Sequence, residues 1–279
     1  MYVKCSYFYL IYVVIIRTSQ SRGFVLLKDN ETNATTSTSI ASSLLRIVGG
    51  VEVKANSLPY QAALVVNGNC FCGGAVISAQ YILTAAHCTY NAKYAYVILG
   101  AQNWKYKEST QQIYKTTNFI VHHKFKSISK VQENDISLVK ISHIRFNQYV
   151  RAIGLPGSFS GDYSGQLSVL SGWGATSDTS SAGLTPALRK VYLTVAKNSY
   201  CQKFYSDVTL ISGQICTQPQ DILSGVVGGC YGDSGGPLVR GTELIGILSF
   251  GGSKCTAGKP SVYTRIMAYR SWIRKYSGI

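Results

Sequence analysis

The sequence predicts an all-β fold built from antiparallel sheets and closed by one C-terminal α-helix. Short apolar runs recur along the chain with Gly, Asn and Ser between them, and this spacing is typical of antiparallel barrels or sandwiches. The composition agrees, because 46% of the 279 residues are hydrophobic and 27 are Gly, as expected for a turn-rich globular protein with a large core.

Nine apolar runs are the predicted strands, and they cover residues 61–66, 74–77, 81–85, 94–99, 136–141, 166–171, 188–194, 237–239 and 244–250. The end of the chain follows a different pattern. Five residues recur at helical spacing with Arg and Lys between them, namely Ile266, Tyr269, Trp272, Ile273 and Tyr276. This pattern predicts a helix over residues 265–277 that packs one face against the protein surface.

Residues 1–21 have the pattern of a cleavable export signal. Lys4 precedes an apolar run over residues 5–16, and small residues follow at Ser19 and Ser21. The run is short for a membrane span. We therefore expect a secreted, extracellular protein, with an uncleaved signal anchor as the alternative.

Residues 22–46 form a segment of different composition, rich in Ser, Thr and Asn and poor in aromatic residues. Such a segment buries too little apolar surface to fold alone, and we interpret it as a removable pro-segment. It contains two N-glycosylation sequons, at Asn30 and Asn33. The remaining residues, 47–279, are the predicted folded domain.

The chain is basic, with 27 Lys and Arg residues against 12 Asp and Glu residues. An excess of this size attracts acidic surfaces through salt-dependent forces but defines no site. The sequence has no zinc-ligand spacing, no recognition helix and no phosphate-binding glycine loop. We therefore expect neither nucleic-acid binding nor a metal or organic cofactor.

The strongest chemical signal is the segment 232–237, which reads GDSGGP. A serine hydroxyl becomes a good nucleophile only when a base removes its proton and backbone N–H groups stabilise the oxyanion that forms. The glycines let the chain turn sharply and let a substrate carbonyl approach the backbone. We therefore interpret Ser234 as a catalytic nucleophile.

Two further segments supply the partners that such a serine needs. His87 lies in LTAAHC at 83–88, and its side-chain type has a pKa near neutrality that suits a general base. Asp135 lies in NDISLV at 134–139, where its carboxylate can hold an imidazole in one tautomer. Alone, each has a plain structural explanation, as a buried histidine and a turn-forming aspartate. Together, in the order His, Asp, Ser, they predict a catalytic triad.

With these motifs, the sequence resembles the chymotrypsin/trypsin family of serine proteases over residues 47–279. The resemblance extends to three further segments: IVGG at 47–50 directly after Arg46, SGWG at 171–174 and PSVYTR at 260–265. It implies two antiparallel six-stranded β-barrels, at about residues 47–155 and 156–262, with the triad in the cleft between them.

The resemblance also assigns roles to residues around the triad. Backbone N–H groups of Gly232 and Ser234 form the oxyanion hole in this family, and Ser249 matches a serine that hydrogen-bonds the triad aspartate. Cleavage after Arg46 places an ammonium group on Ile47, which pairs in this family with the carboxylate before the nucleophile, here Asp233. A buried Asp without a partner is costly, so we expect the uncut precursor to be nearly inactive.

The family pattern of disulfides pairs Cys72 with Cys88, Cys201 with Cys216, and Cys230 with Cys255. With Cys5 in the export signal, Cys70 is then left over. We interpret Cys70 as an inert buried thiol, with a partner-forming thiol as the alternative.

The residues that match the family's primary specificity pocket carry no charge. Gly228 lies at its base, where trypsin-like members have Asp, so we expect no cleavage after Arg or Lys. Gly251 leaves the entrance open to a large side chain, whereas Ser261 replaces a wall glycine and shortens the pocket. We expect cleavage after aromatic residues or Leu, with an elastase-like preference for small residues as the alternative.

These interpretations define the expected partners of the protein. Its substrates are peptides and proteins, a separate trypsin-like protease cuts after Arg46, protein protease inhibitors bind the cleft, and the enzyme acts as a monomer. We expect no calcium site, because Ala101 and Gln111 stand where the family's calcium loop has carboxylates. An inactive, secreted, protease-like binding protein is the alternative, and the intact triad disfavours it.

Overall fold

The computed structural model describes residues 50–126, 132–157, 161–178, 183–206, 209–222 and 225–279. The predicted export signal, the pro-segment with its two sequons, and the Arg46–Ile47 bond lie outside the described residues. Within the described residues, the strands form two large antiparallel sheets and one short hairpin.

The strands in chain order are β1 (Val51–Glu52), β2 (Gln61–Val66), β3 (Cys70–Val76), β4 (Tyr81–Thr84), β5 (Ala95–Leu99), β6 (Gln112–Thr116), β7 (Asn118–Val121), β8 (Ser137–Lys140), β9 (Leu167–Gly172), β10 (Arg189–Ala196), β11 (Gln214–Thr217), β12 (Gln220–Ile222), β13 (Gly225–Val227), β14 (Pro237–Arg240), β15 (Glu243–Phe250) and β16 (Ser261–Arg265). The helices are α1 (Ala86–Thr89), α2 (Asn198–Gln202) and α3 (Arg270–Ser277), and a 3₁₀ turn covers Ile266–Tyr269.

The first sheet has seven strands in the order β6-β5-β2-β3-β4-β8-β7. Its inner face is apolar, and Leu64, Leu83, Leu99 and Leu138 are all fully buried there. The apolar side chains that curve the sheet around this core also fix its register, because a slip of one residue would turn them to solvent. His87 follows the end of β4, and Asp135 precedes the start of β8.

The second sheet closes on itself. Its order is β1-β10-β11-β16-β15-β14-β9, and β9 also pairs with β10, so six strands form a closed barrel to which β1 adds at one edge. Leu170, Leu193, Ile215, Leu238 and Ile245 are fully buried inside it. The predicted all-β fold with two barrel-like sheets is therefore confirmed, and the second sheet is the one that closes.

The predicted C-terminal helix is present and begins as the 3₁₀ turn before it becomes α3. Ile266, Tyr269, Trp272 and Ile273 are buried in the same core cluster as the first sheet. Gly278 ends the helix with a φ of 81°, and its N–H donates to Arg274 O at 2.9 Å. None of the helices in the described ranges is long and apolar enough to cross a membrane.

The structure contains the disulfides Cys72–Cys88, Cys201–Cys216 and Cys230–Cys255. The interpretation of Cys70 as a free thiol is wrong, because Cys70 is disulfide-bonded and none of the described cysteines is free. The family pattern accounts for six cysteines and says nothing about a seventh. Cys70 is half-buried on β3, and its disulfide agrees with the alternative of a partner-forming thiol.

The loop between β5 and β6 is held together from inside by one side-chain amide. Gln111 Nε2 donates to Asn103 O at 2.8 Å and to Tyr106 O at 2.9 Å, and it lies 3.5 Å from Glu108 Oε2. The carboxylate of Glu108 accepts backbone N–H groups of Gln102 and Asn103 at 2.8 and 3.0 Å. The oxygens that face the loop centre are thus already supplied with N–H donors, an arrangement that does not fit a calcium ion.

We predict that this loop needs no calcium. Thermal unfolding of the wild type is expected to be the same in calcium and in a chelator. Gln111→Glu is expected to lower Tm by several degrees in the chelator, since it replaces a donor by a charge facing other oxygens and costs about 1–3 kcal/mol. Calcium is expected to restore much of that loss.

Gln111→Leu is the control for this prediction, because it removes the donor without adding a charge. It is expected to lower Tm without any response to calcium. A calcium-dependent Tm in the wild type would contradict the role of Gln111.

Candidate active site

His87 lies in α1, directly after β4, and is paired with Asp135. Its Nδ1 is 2.7 Å from Asp135 Oδ2, and its backbone N–H donates to Asp135 Oδ1 at 2.9 Å. Their side chains are 5% and 0% exposed. Because a carboxylate only accepts, the proton of the neutral ring is on Nδ1, and Nε2 keeps a lone pair. Nε2 is buried and has no hydrogen-bond partner among the described residues, so it is available to accept a proton.

Asp135 lies between the two sheets and receives donors from both. Besides His87, Ser249 Oγ on β15 donates to Oδ2 at 2.6 Å, the hydrogen bond that the family resemblance implied. Thr264 Oγ1 on β16 donates to the backbone carbonyl of Asp135 at 2.6 Å. Asn134, with a φ of 55°, turns the chain immediately before this residue. The carboxylate is therefore buried with each oxygen hydrogen-bonded.

The loop that carries Ser234 packs against the His87 side of the first sheet. The backbone carbonyl of Ser234 accepts a hydrogen bond from Gly73 N–H at 2.8 Å and lies 3.7 Å from Cys88 Sγ. The sulfurs of Cys72 and Cys88 in turn lie within 4.8 Å of a ring nitrogen of His87. The structure thus brings Ser234 and His87 to the same place. These sulfurs form a disulfide and offer no thiolate, so the cluster is not a metal site.

Two glycines in this loop occupy positions where a side chain cannot fit. Gly232 has a φ of 92°, and a Cβ atom there would lie 2.2 Å from Leu184 Cδ2. Gly235 has a φ of 77°, and a Cβ atom there would lie 2.2 Å from Thr84 Oγ1. The glycines of the GDSGGP motif therefore allow both the turn and its close approach to the first sheet.

Asp233, next to Ser234, is fully buried. Its Oδ1 accepts the N–H of Gly174 at 2.8 Å, and its Oδ2 accepts the N–H of Cys230 at 3.0 Å. No basic side chain pairs with it among the described residues. Burial raises the pKa of Asp233 to about 6, although these two hydrogen bonds act in the opposite direction. Its carboxylate is thus incompletely compensated, unlike that of Asp135.

The three residues predicted to shape the specificity pocket lie together. A Cβ atom added at Gly228 would lie 3.4 Å from Ser261 Oγ, and one added at Gly251 would lie 4.0 Å from the same atom. Ser261 is 6% exposed, and its Oγ accepts the N–H of Gly229 at 3.3 Å. Its hydroxyl therefore lies close to both glycines. Tyr231 OH donates to Ser253 O at 2.8 Å and links the neighbouring segments.

The structure thus brings together the predicted triad, Gly232, Ser249 and the pocket residues. Sequence reasoning missed Asn134 and Thr264, which lie next to and hydrogen-bond Asp135. It also missed Asp178, which accepts hydrogen bonds from Cys255 and Thr256 in the segment after Gly251. Thr264 lies in the PSVYTR segment, which resembles the family but to which the resemblance assigns no function. Asp178 follows the SGWG segment in a Ser- and Thr-rich stretch, where an acidic residue has no distinguishing pattern.

Comparison with known proteins agrees with this geometry. The trypsin family model matches residues 47–273. The chain is 39% identical to brachyurin of Leptuca pugilator, with 84% of this chain and 99% of that protein aligned. It is 35% identical to the trypsin of Sus scrofa, with 82% and 95% aligned.

A solved structure of HL collagenase has the same fold. It superposes with a TM-score of 0.71 at 30% sequence identity and covers 82% of this chain and 98% of its own. The match to the family model and to these relatives extends over most of the chain. The protein therefore belongs to the trypsin family of serine endopeptidases.

Proposed function

We propose that the chain is the precursor of a secreted serine endopeptidase that cleaves peptide bonds after apolar residues, with His87, Asp135 and Ser234 as its catalytic triad. One observation carries this proposal. The imidazole of His87 is fixed at Nδ1 by Asp135, and its buried Nε2 has no partner of its own among the described residues. Such a nitrogen, next to the loop of Ser234, is suited to take the serine proton.

The geometry supports acyl-enzyme chemistry. Ser234 Oγ attacks the substrate carbonyl carbon and forms a C–O bond while His87 Nε2 takes the hydroxyl proton. His87 gives that proton to the leaving amine as the C–N bond breaks, which leaves an ester on Ser234. Water then gives a proton to His87, attacks the ester and releases the acid, and the proton returns to Ser234. Asp135 stabilises the imidazolium formed in each half of the reaction.

The backbone N–H groups of Gly232 and Ser234 are the proposed oxyanion hole. Fixed N–H donors stabilise the negative charge that develops on the carbonyl oxygen, and removing one typically costs 10²–10³-fold in rate. The positive φ of Gly232 supports this role, because it lets the chain turn at the residue whose N–H is required. Asp233, buried behind the loop, holds the same turn through Gly174 and Cys230.

The proposed pocket suits an apolar side chain. In the protease nomenclature, this is the P1 residue, which precedes the cleaved bond. Gly228 offers no charge for an Arg or Lys, and Gly251 leaves one wall open. We infer aromatic or Leu residues at P1. Ser261 Oγ, which lies close to both glycines, favours the elastase-like alternative of small P1 residues if it blocks the deeper part of the pocket.

We propose that the enzyme is made as a zymogen with residues 1–21 as export signal and 22–46 as pro-segment. Cleavage after Arg46 gives Ile47 an ammonium group that pairs with Asp233. The incompletely compensated carboxylate of Asp233 supports this step, and so does the family match that begins at Ile47. Because the pocket has no charged base, a separate trypsin-like protease is required for the cut.

The remaining parts of the proposal follow from this assignment. The protein works as an extracellular monomer on peptides and proteins, protein protease inhibitors occupy its cleft, and nucleic acid is not a partner. The match to the trypsin family model over residues 47–273 supports this assignment. A secreted binding protein without activity is the competing function. It does not explain why Nε2 of His87 is buried without a hydrogen-bond partner among the described residues.

The first prediction from this proposal concerns specificity. After activation by trypsin and removal of the trypsin, the protein is expected to cleave peptides with Phe or Leu at P1 and not those with Arg. Ser234→Ala is expected to reduce kcat by several orders of magnitude, because no nucleophile remains. Ser261→Gly is expected to raise kcat/KM for Phe relative to Ala, because it removes the hydroxyl from the pocket.

Each outcome of the peptide panel has a definite meaning. Cleavage after Ala but not Phe would assign the elastase-like specificity. Cleavage after Arg would contradict the interpretation of Gly228 as the uncharged base of the pocket. Activity that persists in Ser234→Ala would contradict the proposed triad. If no peptide is cleaved, the binding protein becomes the better explanation.

The second prediction concerns activation. Arg46→Gln is expected to keep the precursor inactive after trypsin treatment, because the ammonium group of Ile47 is not released. Peptide hydrolysis and N-terminal sequencing measure both events in the same sample, with the treated wild type as control. Full activity of the treated variant would refute the proposed site.

The third prediction concerns the stability of the uncut precursor. The folded pKa of Asp233, about 6, exceeds its ordinary value of 3.8, so the folded state retains a proton that the unfolded chain releases. The stability gained from this protonation is fully present below about pH 4 and is lost as the pH rises towards about 6. Chemical denaturation at several pH values is expected to show this loss in the wild type and not in Asp233→Asn.

Subtracting the free energy of unfolding of Asp233→Asn from that of the wild type at each pH removes the contribution of other groups that titrate in the same range. One of these is His122, whose pKa is lowered by burial to about 4. Cleavage after Arg46 is expected to remove the loss in the wild type, because an ammonium partner favours the charged carboxyl. Equal pH slopes in the precursor and in Asp233→Asn would contradict the assignment.

A further inference from the structure

The wall of the proposed P1 pocket lies in a connecting segment outside the regular sheets. Residues 251–260 join β15 to β16 and include Gly251. The segment contains a turn in which Ala257 N–H donates to Lys254 O at 3.2 Å. A connection of this kind keeps one conformation only when the rest of the molecule holds it, since ordering each residue costs conformational entropy.

Two tethers join this segment to the nucleophile loop. The Cys230–Cys255 disulfide is one, and the hydrogen bond from Tyr231 OH to Ser253 O is the other. Both come from adjacent residues of the same loop. They reach the segment at Ser253 and Cys255, and a further contact comes from another part of the chain.

That other part is the carboxylate of Asp178. Its Oδ1 accepts the N–H of Cys255 at 2.5 Å, and its Oδ2 accepts both the N–H of Thr256, at 3.3 Å, and the hydroxyl of Thr256. Partial burial acts to raise the pKa of Asp178, but the hydrogen bonds from Thr256 and Cys255 hold it below its ordinary value. Asp178 is therefore a charged acceptor for three donors on two consecutive residues, and such bonds are stronger than neutral ones.

The segment that carries Asp178 is also joined to the nucleophile loop, three residues before the carboxylate. That segment begins at Ala175, whose N–H donates to Tyr231 O at 2.7 Å and which forms a β-bridge with Leu184. The segments around Asp178, Tyr231 and Cys255 are thus linked pairwise. The segment that contains Gly251 is therefore held by contacts with both of the other segments.

From this arrangement we propose that Asp178 is a positioning residue for substrate specificity, which fixes the pocket wall against the P1 side chain. The inference rests on the proposed function. Without the carboxylate, the disulfide still retains Cys255, but the wall has more conformations to lose when substrate binds. The loss falls on KM and grows with the size of the P1 side chain, because a larger side chain contacts more of the wall.

The test compares two peptides that differ only at P1, one with the preferred residue and one with Gly, on the cleaved enzyme. Asp178→Ala is expected to raise KM for the preferred peptide about tenfold, with little change in kcat and little change for the Gly peptide. Asp178→Asn and Thr256→Val each remove only part of the contact, and intermediate values are expected. They also carry the test if Asp178→Ala does not fold.

Asp162→Ala is the matched control. Asp162 also accepts an N–H and a hydroxyl, both from Ser164, at 3.0 and 2.9 Å, but within its own loop. The Asp162→Ala variant is expected to have the wild-type KM and kcat for both peptides. Equal losses for the two peptides would reduce Asp178 to a role in stability, and unchanged kinetics would overturn the inference outright. A wild type that cleaves no peptide would instead overturn the proposed function, and this inference with it.

Discussion

The buried carboxylate of Asp135 is the interaction on which the active site depends. An isolated charge in the interior costs several kcal/mol, and here the cost is offset by donors from both sheets. The backbone N–H and ring of His87 approach from the first sheet, and Ser249 approaches from the second. Removing either side would leave a buried charge short of partners. The carboxylate that accepts hydrogen bonds from both sheets therefore also fixes the tautomer of His87.

Asp233 is an instructive contrast, because it is equally buried but less well compensated. It has two backbone donors, and its raised pKa shows that they do not match the lost hydration. A partner with a positive charge would complete the site. The glycines at 172 and 174 approach the carboxylate so closely that a Cβ atom at either would lie 2.2 to 2.3 Å from it. The sequence around Asp233 is thus built to enclose a charge, and its unfinished compensation is the physical basis of the proposed activation.

The proposed triad could be identified in the sequence because each of its residues lies in a short contiguous motif. All nine predicted strands are present, because several of them are continuously apolar or alternate between apolar and polar residues. Strand β6 was missed because Ile113 and Lys115 both face solvent, which hides its pattern. Strand β11 was missed because buried Gln214 and Thr217 begin and end it. Asp178 could not be predicted at all, because its partners lie 77 and 78 residues away and no local pattern marks them.

The uncharged base of the pocket gives these distant contacts their importance. A pocket with an acidic base gains binding energy from a charged hydrogen bond, which tolerates small shifts of the walls. With Gly228 at its base, the proposed pocket binds substrate through apolar contact, worth roughly 25 cal/mol per Å² of buried surface. That contribution depends on close packing and falls quickly when a wall moves. The more the proposed pocket relies on contact area, the more its specificity depends on the contacts that Asp178 makes with the segment after Gly251.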